Sequence, residues 1–188
     1  MSLNPQNWYI RYSDDAGEHP VADPAEGAWS IEFPTYDETL GEVGHLNYVE
    51  TSFAPGSQLP QEVSITYEVR SKSPRFLLFG DKLPATFRLM FEQKNDNMFS
   101  ADGRWWTQIV YSLGSADNQV YVFKVPLTPD KWSNVYGMYG SQDPARFNAA
   151  LKNVGFFGLT FGGQDFAGHG VALSSGSAKF ILINYDVE

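Results

Sequence analysis

The chain of 188 residues contains 22 acidic and 13 basic residues, which give a formal net charge of −9 and an isoelectric point near 4.7. A surface of that sign repels phosphate groups, so we expect neither nucleic acid nor an anionic membrane surface as a partner. The chain has no cysteine, which excludes disulfides, thiolate metal sites and cysteine nucleophiles, whereas its 14 Phe, 10 Tyr and 5 Trp are enough for the core of one β domain.

Residues 1–27 differ in composition from the rest of the chain. The sequence from residue 13 to residue 27, SDDAGEHPVADPAEG, is polar and rich in Pro and Gly. Such a composition is typical of loops, so we predict a loosely held N-terminal arm that Trp8 and Tyr9 anchor. Residues 28–188 contain no linker and no internal repeat, and we expect them to form a single domain.

The start of the chain, Met1-Ser2-Leu3, is typical of a vector-derived sequence. The lack of a leader peptide therefore says nothing about the compartment, because a native leader is easily lost in this way. We expect an exported protein, periplasmic or extracellular. The longest apolar stretches are far shorter than a bilayer requires, so we predict no membrane insertion.

Apolar residues alternate with a period of two along most of the chain, which predicts roughly eight strands. Segments rich in Gly, Pro, Asp and Asn separate them, as expected for turns. Regular short strands with a single inserted helix are typical of an antiparallel β-sandwich or jelly roll, an all-β fold. The predicted strands are residues 28–33, 45–53, 63–70, 87–94, 105–113, 120–127, 155–163 and 178–188.

One short helix is predicted near residues 143–153. Asp143 is the expected N-cap, Pro144 the first helical residue, and Gly155 follows the last turn. The helix would bury one apolar face, which consists of Phe147, Ala150 and Leu151.

Trp105 and Trp106 follow a polar loop that contains Asp96, Asn97, Asp102 and Arg104. Adjacent residues of a strand point to opposite faces, so we expect one indole in the core and the other outside. The outer indole has two interpretations. It packs under a loop, or it stacks on a sugar ring, because an indole face matches the apolar C–H face of a pyranose. In the second case the loop residues would hydrogen-bond the hydroxyl groups.

Arg88 and Glu92 share the polar face of the predicted strand 87–94. They form either a solvated pair or two groups that orient a ligand. Tyr136 and Tyr139 flank Gly137 in a predicted loop and are candidates for exposed ligand contacts. His169 lies between two glycines without any metal-ligand spacing to the other histidines, which favours a loop histidine with a backbone hydrogen bond.

The second half of the chain resembles the C-terminal half of galactose-binding-like jelly rolls. The resemblance is carried by VYVFKVPLTPDKW at residues 120–132, the short helix, VGFFGLTFGG at residues 154–163 and the closing strand at residues 178–188. Several carbohydrate-binding modules and the complex I intermediate-associated protein family belong to this group. The whole chain is also similar to stand-alone bacterial proteins that carry the LTFGG…GHG segment, a likeness that implies no activity.

The resemblance implies a β-sandwich in which Trp132 seals the core below the helix. It also implies that a structural calcium ion is compatible with the fold, joining the first strand to the last. Candidate oxygen ligands are Glu32, Asp37, Glu38, Asp186 and Glu188, since Ca²⁺ prefers carboxylate oxygens. We predict no other cofactor.

The sequence contains no nucleophile elbow, phosphate-binding loop or zinc-binding helix, and no strand with the paired carboxylates of a glucanase. We therefore predict no catalytic residue and favour non-catalytic binding of a neutral or uronic-acid glycan. The predicted ligand contacts are Arg88, Glu92, Asn97, Arg104, Trp105 or Trp106, Tyr136 and Tyr139. The alternatives are a protein–protein scaffold that uses the same aromatic residues, and then a glycan hydrolase or lyase. The oligomeric state stays open.

Overall fold

The computed structural model describes residues 1–23, 27–40, 44–54, 56, 58–78, 84–96, 100–115, 117–163 and 166–188. Two antiparallel sheets face each other across a hydrophobic core, and a short α-helix packs beside them. The prediction of an antiparallel β-sandwich with one short helix is thereby confirmed.

Thirteen strands and one α-helix are described. The helix α1 is Pro144–Lys152, and short 3-10 helices occupy Pro5–Asn7, Leu113–Ser115 and Gly140–Gln142. The strands are β1 (Trp8–Arg11), β2 (Val21–Asp23), β3 (Ala28–Glu32), β4 (Tyr48–Ser52), β5 (Glu62–Leu78), β6 (Thr86–Gln93), β7 (Arg104–Thr107), β8 (Tyr111–Ser112), β9 (Val120–Pro126), β10 (Trp132–Asn134), β11 (Val154–Gly163), β12 (Phe166–Ala167) and β13 (Val171–Val187).

The pairing of the strands is that of a jelly roll. The first sheet, which we call the A sheet, has the order β1-β4-β11-β6-β7-β10, and the B sheet has the order β2-β3-β13-β5-β9. The eight main strands pair in a nested way, β3 with β13, β4 with β11, β5 with β9 and β6 with β7, and these pairs alternate between the two sheets. Nested pairs of this kind, first strand with last, define the jelly-roll topology.

Two strands are much longer than predicted. β5 and β13 each run for 17 residues and pair along most of their length, although the alternation predicts only residues 63–70 and 178–188. The register shifts around Ser175, and Gly176 has a φ of +77° where a Cβ would collide with the carbonyl of Ser73. A glycine is therefore required at this irregularity in the pairing. The irregularity breaks the alternation of apolar and polar residues, but the strand continues through it.

The helix begins where its capping residues predict. Asp143 accepts a hydrogen bond from the amide of Arg146 at 3.0 Å, and Pro144 is the first helical residue. Phe147 is fully buried, with its ring centroid 5.1 Å from that of Trp105. In the part of the chain that the structure describes, no helix is long and apolar enough to cross a membrane.

The N-terminal segment is not the loosely held arm that its composition suggested. Residues 8–11 form β1 and pair with β4, and residues 21–23 form β2 and pair with β3. Trp8 is fully buried, with ring centroids 5.0 Å from Trp29 and 5.1 Å from Tyr185. The polar, Pro- and Gly-rich residues belong mainly to the connection between these strands, which carries the chain from the A sheet to the B sheet. The strands themselves are too short to give a clear alternation.

Candidate functional site

The two adjacent tryptophans lie on opposite faces of the A sheet, as predicted. Trp105 is fully buried in the core and donates from Nε1 to the carbonyl of Asp102 at 3.1 Å. Trp106 belongs to a separate cluster with Tyr48 and Met90 on the other face. Trp105 therefore offers no surface to a ligand in this conformation, and Trp106 is the indole on the outside of the sandwich.

The outer face of the A sheet, turned away from the core, carries most of the predicted ligand contacts. The strand register places Gly158 between Glu50 on β4 and Met90 on β6, with Trp106 next in the same row. A Cβ at residue 158 would collide with the carbonyl of Val49, so only glycine allows these strands to approach. The other side chains of this face include Tyr9, Arg11, Tyr48, Arg88, Glu92, Arg104, Ser133, Phe156 and Thr160.

Trp106 is largely covered, although it lies outside the core. Only 7% of its surface is exposed, because Val135 and Ala167 pack against its cluster. An indole so covered cannot provide the open stacking surface that the sequence suggested. The exposed aromatic rings on or near this face belong to other residues, which include Tyr9, Tyr12, Tyr136 and Tyr139.

Tyr136 and Tyr139 lie in the turn that follows β10. The side-chain oxygen of Asn134 accepts from the amides of Tyr136 and Met138, and Gly137 adopts a φ of +77° between them. Tyr136 is 77% exposed and Tyr139 is 36% exposed. The hydroxyl of Tyr139 accepts from Nε2 of Gln108 at 2.6 Å. Since Val135 packs against the Trp106 cluster, this turn borders the outer face.

Tyr12 is an aromatic residue of this region that sequence reasoning missed. It follows β1 directly, has a φ of +57° and places its ring centroid 6.0 Å from that of Tyr48. The side-chain amide of Asn47 donates to the carbonyl of Tyr12 and so fixes this uncommon backbone conformation. Tyr12 is 54% exposed. Its only sequence signal is an aromatic residue at the end of a short strand, and the composition of its surroundings pointed to a loop.

Two ion pairs hold the charged groups of the outer face. The guanidinium of Arg104 lies 3.1 Å from Asp96, from Nε to Oδ2, and donates from Nη1 to the hydroxyl oxygen of Tyr48 at 3.0 Å. Nε of Arg11 donates to Oε1 of Glu50 at 3.1 Å. The pair of Arg11 with Glu50 and the contact of Arg104 with Tyr48 connect distant parts of the sequence, so the charges form one cluster only in the folded protein.

Burial changes the ionisation of this cluster. Burial and the neighbouring carboxylates of Glu50 and Asp96 raise the pKa of Glu92 to about 8, against the opposing effect of Arg104. Burial also raises the pKa of Glu50 above its ordinary value, although the ion pair with Arg11 lowers it. A carboxyl with a pKa of about 8 is largely protonated near neutral pH, and a protonated carboxyl is able to donate a hydrogen bond as well as to accept one.

Arg88 and Glu92 share the outer face, as their strand alternation predicts, and both are half-buried. Nη1 of Arg88 donates to the carbonyl of Thr107 at 3.3 Å. The structure thus places Arg88, Glu92, Arg104 and Trp106 together. Asn97, the remaining predicted contact, lies outside the described residues.

The proposed calcium ligands do not converge. Asp37 accepts from the hydroxyl of Thr39 at 2.6 Å, whereas Asp186 lies 3.6 Å from the amino terminus of Met1. Among the residues that the structure describes, no group of three or more His, Asp or Glu side chains is arranged to hold a metal ion. The five carboxylates do not fit a calcium site there, and calcium stays a prediction without assigned ligands.

A shallow cavity of about 370 Å³ lies on the B sheet, away from the outer face of the A sheet. Its wall includes Lys72, Asn118 and Lys179. Arg70 is held there by two hydrogen bonds to Glu68, at 2.7 and 2.9 Å. Arg70 and Glu68 thus compensate each other's charge in the wall of this cavity.

Comparison with known proteins gives no family assignment. No protein-family model matches the chain, and no curated protein matches its sequence. Among solved structures, the chain is similar to a protein described as the xylan-binding module CBM15, with 10% identity, 97% of this chain and 94% of that chain covered, and a TM-score of 0.49.

Two further similar structures are candidate glycoside hydrolases. The one from Bacteroides thetaiotaomicron is 14% identical to this chain, with a TM-score of 0.41. The alignment covers 93% of this chain and 58% of that protein. The one from Bacteroides vulgatus is 14% identical, with a TM-score of 0.33, and the alignment covers 85% of this chain and 62% of that protein. The chain thus spans less than two thirds of the length of either of these two proteins. Likenesses with TM-scores below 0.5 supply no argument about function here.

Proposed function

We propose that the protein binds a glycan, without chemical change, through the outer face of the A sheet. The observation that carries the proposal is the presence of aromatic rings and hydrogen-bonding groups on one face. Arg88, Glu92 and Arg104 lie beside Trp106 and Tyr48 there. Sugar rings need both partners, since their C–H faces are apolar and their edges carry hydroxyl groups.

The exposed rings at the border of this face are suited to stack on sugars. Tyr136 and Tyr139 present theirs on a turn that the Asn134 side chain fixes, so little conformational freedom is lost on binding. The half-buried Glu92 and Arg88 would contact hydroxyl groups. A protonated Glu92 acts as donor and acceptor at once, which matches the dual character of a hydroxyl. Trp106 would support the site from below, through its cluster with Tyr48 and Met90.

Isothermal titration against a polysaccharide panel tests the proposal. The panel includes neutral glycans (xylan, mannan, cellulose, galactan) and uronic-acid glycans (alginate, pectin). We expect heat for at least one member, and a loss of affinity of about tenfold in Tyr136→Ala, which removes an exposed ring. Val122→Ala, an exposed residue on the B sheet, is the matched control and should bind as the wild type does. No heat for any member would refute glycan binding.

A second candidate function is protein–protein assembly, and one observation favours it. β9 stands at the end of the B sheet in the strand order, with Val120 and Val122 exposed by 55% and 65%. An edge strand with exposed apolar side chains is a common place for another strand to pair. Size-exclusion chromatography with light scattering distinguishes this function. A defined oligomer that Val122→Lys dissociates would support assembly, and a monomer that binds glycan would support the first proposal.

A further inference from the structure

We propose that the protein forms a symmetric dimer in which β9 pairs antiparallel with β9 of a second copy, about a twofold axis that passes beside Val122. The pairing joins the two five-stranded B sheets into one continuous sheet. The inference rests on the second candidate function, assembly through β9, and specifies the partner, the symmetry and the register. It does not depend on glycan binding.

β9 is the longest of the four strands that stand at the end of a sheet. It has seven residues, whereas β1, β2 and β10 have three or four. Proteins commonly keep edge strands short, because the unpaired backbone groups of a long edge bind further strands. Among the residues that the structure describes, β5 is the one strand that pairs with β9, and Val120 and Val122 are exposed. β9 is therefore the edge that most readily accepts another strand.

The hydrogen bonds beside β9 show which of its backbone groups point outward. The amide of Leu127 donates to the carbonyl of Gln61 at 2.7 Å. Hydrogen-bonded pairs alternate with non-hydrogen-bonded pairs in antiparallel strands, so Val125, Phe123 and Tyr121 bond to β5. The N–H and C=O groups of the residues between them point away from β5. These residues, whose side chains are exposed, are Val120, Val122 and Lys124.

The outward groups of β9 are self-complementary under a twofold rotation. When Val122 lies opposite Val122 of the second copy, Val120 lies opposite Lys124 of that copy. Each such pair exchanges two backbone hydrogen bonds, so about six bonds form across the axis. A shift of the axis by one residue loses bonds, because Lys124 then passes the start of the partner strand or Val120 meets Pro126, which has no N–H group.

The charges near β9 are compatible with this register. Lys124 is the one charged residue of β9, and its two copies lie roughly 14 Å apart, beyond the screening length of ~8–10 Å. Each Lys124 instead lies across Val120 of the second copy from Glu68 of that copy, because Val120 and Glu68 are register partners. Glu68 binds Arg70, and its carboxylate has further lone pairs for Lys124. Opposite charges therefore approach each other at the interface, although the whole chain carries −9.

Disulfide trapping tests the register directly, because the chain contains no cysteine. Val122→Cys places two thiols opposite each other across the axis, with Cα atoms about 5.5 Å apart, a distance that a disulfide spans. Val120→Cys places its two copies roughly 14 Å apart, which is too far for a disulfide. Val21→Cys, at the opposite edge of the B sheet and 69% exposed, controls for random collisions.

The three cysteine variants are oxidised with copper phenanthroline at low protein concentration and separated on non-reducing gels. We expect Val122→Cys to form covalent dimer at least about tenfold faster than Val120→Cys and Val21→Cys, because its thiols are held together in the dimer. Thermal unfolding under reducing conditions should be the same for all three, since each replaces an exposed side chain.

Sedimentation velocity measures the association itself. We expect the wild type, with a monomer mass of 21.0 kDa, to dimerise reversibly as its concentration rises. Val122→Lys sets two like charges directly opposite each other and should weaken dimerisation at least about tenfold. Val21→Lys is the matched control and should dimerise as the wild type does.

The contrary outcomes are distinct. A monomer at every concentration would overturn the dimer and leave glycan binding untouched. A dimer that Val122→Lys does not weaken would overturn the pairing through β9, although assembly of copies would stand. Equal cross-linking of the three cysteine variants, or fastest cross-linking of Val120→Cys, would overturn the axis beside Val122.

Discussion

Arg104 and Asp96 form an ion pair that is almost free of solvent, with 3.1 Å between Nε and Oδ2 and with side-chain exposures of 8% and 0%. The Asp96 carboxylate lies so close to residue 103 that only a glycine is accommodated there. Arg104 also contacts Tyr48, so it joins the loop before β7 to the outer face of the A sheet. The pair holds the guanidinium of Arg104 in place beside Tyr48.

Replacing Arg104 should destabilise the protein strongly. Arg104→Met leaves the buried carboxylate of Asp96 without its counter-charge, and we expect a loss of about 3–5 kcal/mol in the free energy of unfolding. Arg146→Met is the control, since Arg146 forms pairs of 3.3 and 3.4 Å with Asp102 and Asp143 while half of it is exposed. The Arg146→Met variant should lose only about 0–1 kcal/mol in the free energy of unfolding. Urea unfolding of both variants measures the difference, and equal losses would contradict the buried pair.

Trp8 should be as important for stability as any core residue. It is fully buried between Trp29 and Tyr185, so Trp8→Ala should lower the free energy of unfolding by about 3–5 kcal/mol. Tyr9→Ala, on the exposed side of the same strand, should cost about 1 kcal/mol or less. Thermal and urea unfolding provide the measurement. A Trp8→Ala variant as stable as the wild type would mean that the N-terminal segment is loosely held after all.

The tryptophan fluorescence of the folded protein should resist quenching by iodide. Four of the five indoles have no exposed surface, and Trp106 has only 7%. We expect a quenching constant far below that of the protein unfolded in guanidinium, and a further decrease in Trp106→Phe but not in Trp132→Phe. Strong quenching of the folded wild type would show that Trp106 is accessible. In that case Trp106 would provide the exposed stacking surface that the sequence suggested.

The pKa of Glu92 predicts a specific pH dependence of stability. Since its folded-state pKa, about 8, lies above its ordinary value of 4.5, the folded protein binds more protons than the unfolded chain between these pH values. The contribution of Glu92 to stability is therefore complete below pH 4.5 and is lost as the pH rises towards 8. For one proton the slope is at most about 1.4 kcal/mol per pH unit.

Glu92→Gln removes this titration. Relative to the wild type, we expect the variant to gain about 1–3 kcal/mol of unfolding free energy between pH 5 and pH 8.5. Urea unfolding at pH 5, 7 and 8.5 measures the gain, with Glu38→Gln as a control for the loss of one exposed negative charge. A difference between Glu92→Gln and the wild type that does not vary with pH would contradict the raised pKa.

The sequence by itself determined the class of fold and the direction of most side chains. Alternation along β6 predicted that Arg88 and Glu92 share a face, and adjacency in β7 predicted that Trp105 and Trp106 diverge. The helix was equally clear, because Asp143 and Pro144 act on the backbone next to them. These features are local, since strand alternation and helix capping depend on residues only a few positions apart.

Only the tertiary structure decided what surrounds each of these side chains. Trp106 lies in a cluster against which Val135 and Ala167 pack, and Glu92 owes part of its raised pKa to Glu50. Tyr12 reaches the outer face because Asn47, 35 positions away, holds its carbonyl. Such contacts depend on which strands pair and in what register, and that is set by the packing of the whole core. The spacing of residues in the sequence does not show which strands pair or in what register. The residue types and the faces on which they lie were therefore predictable, whereas their exposure, their ionisation and the shape of the site were not.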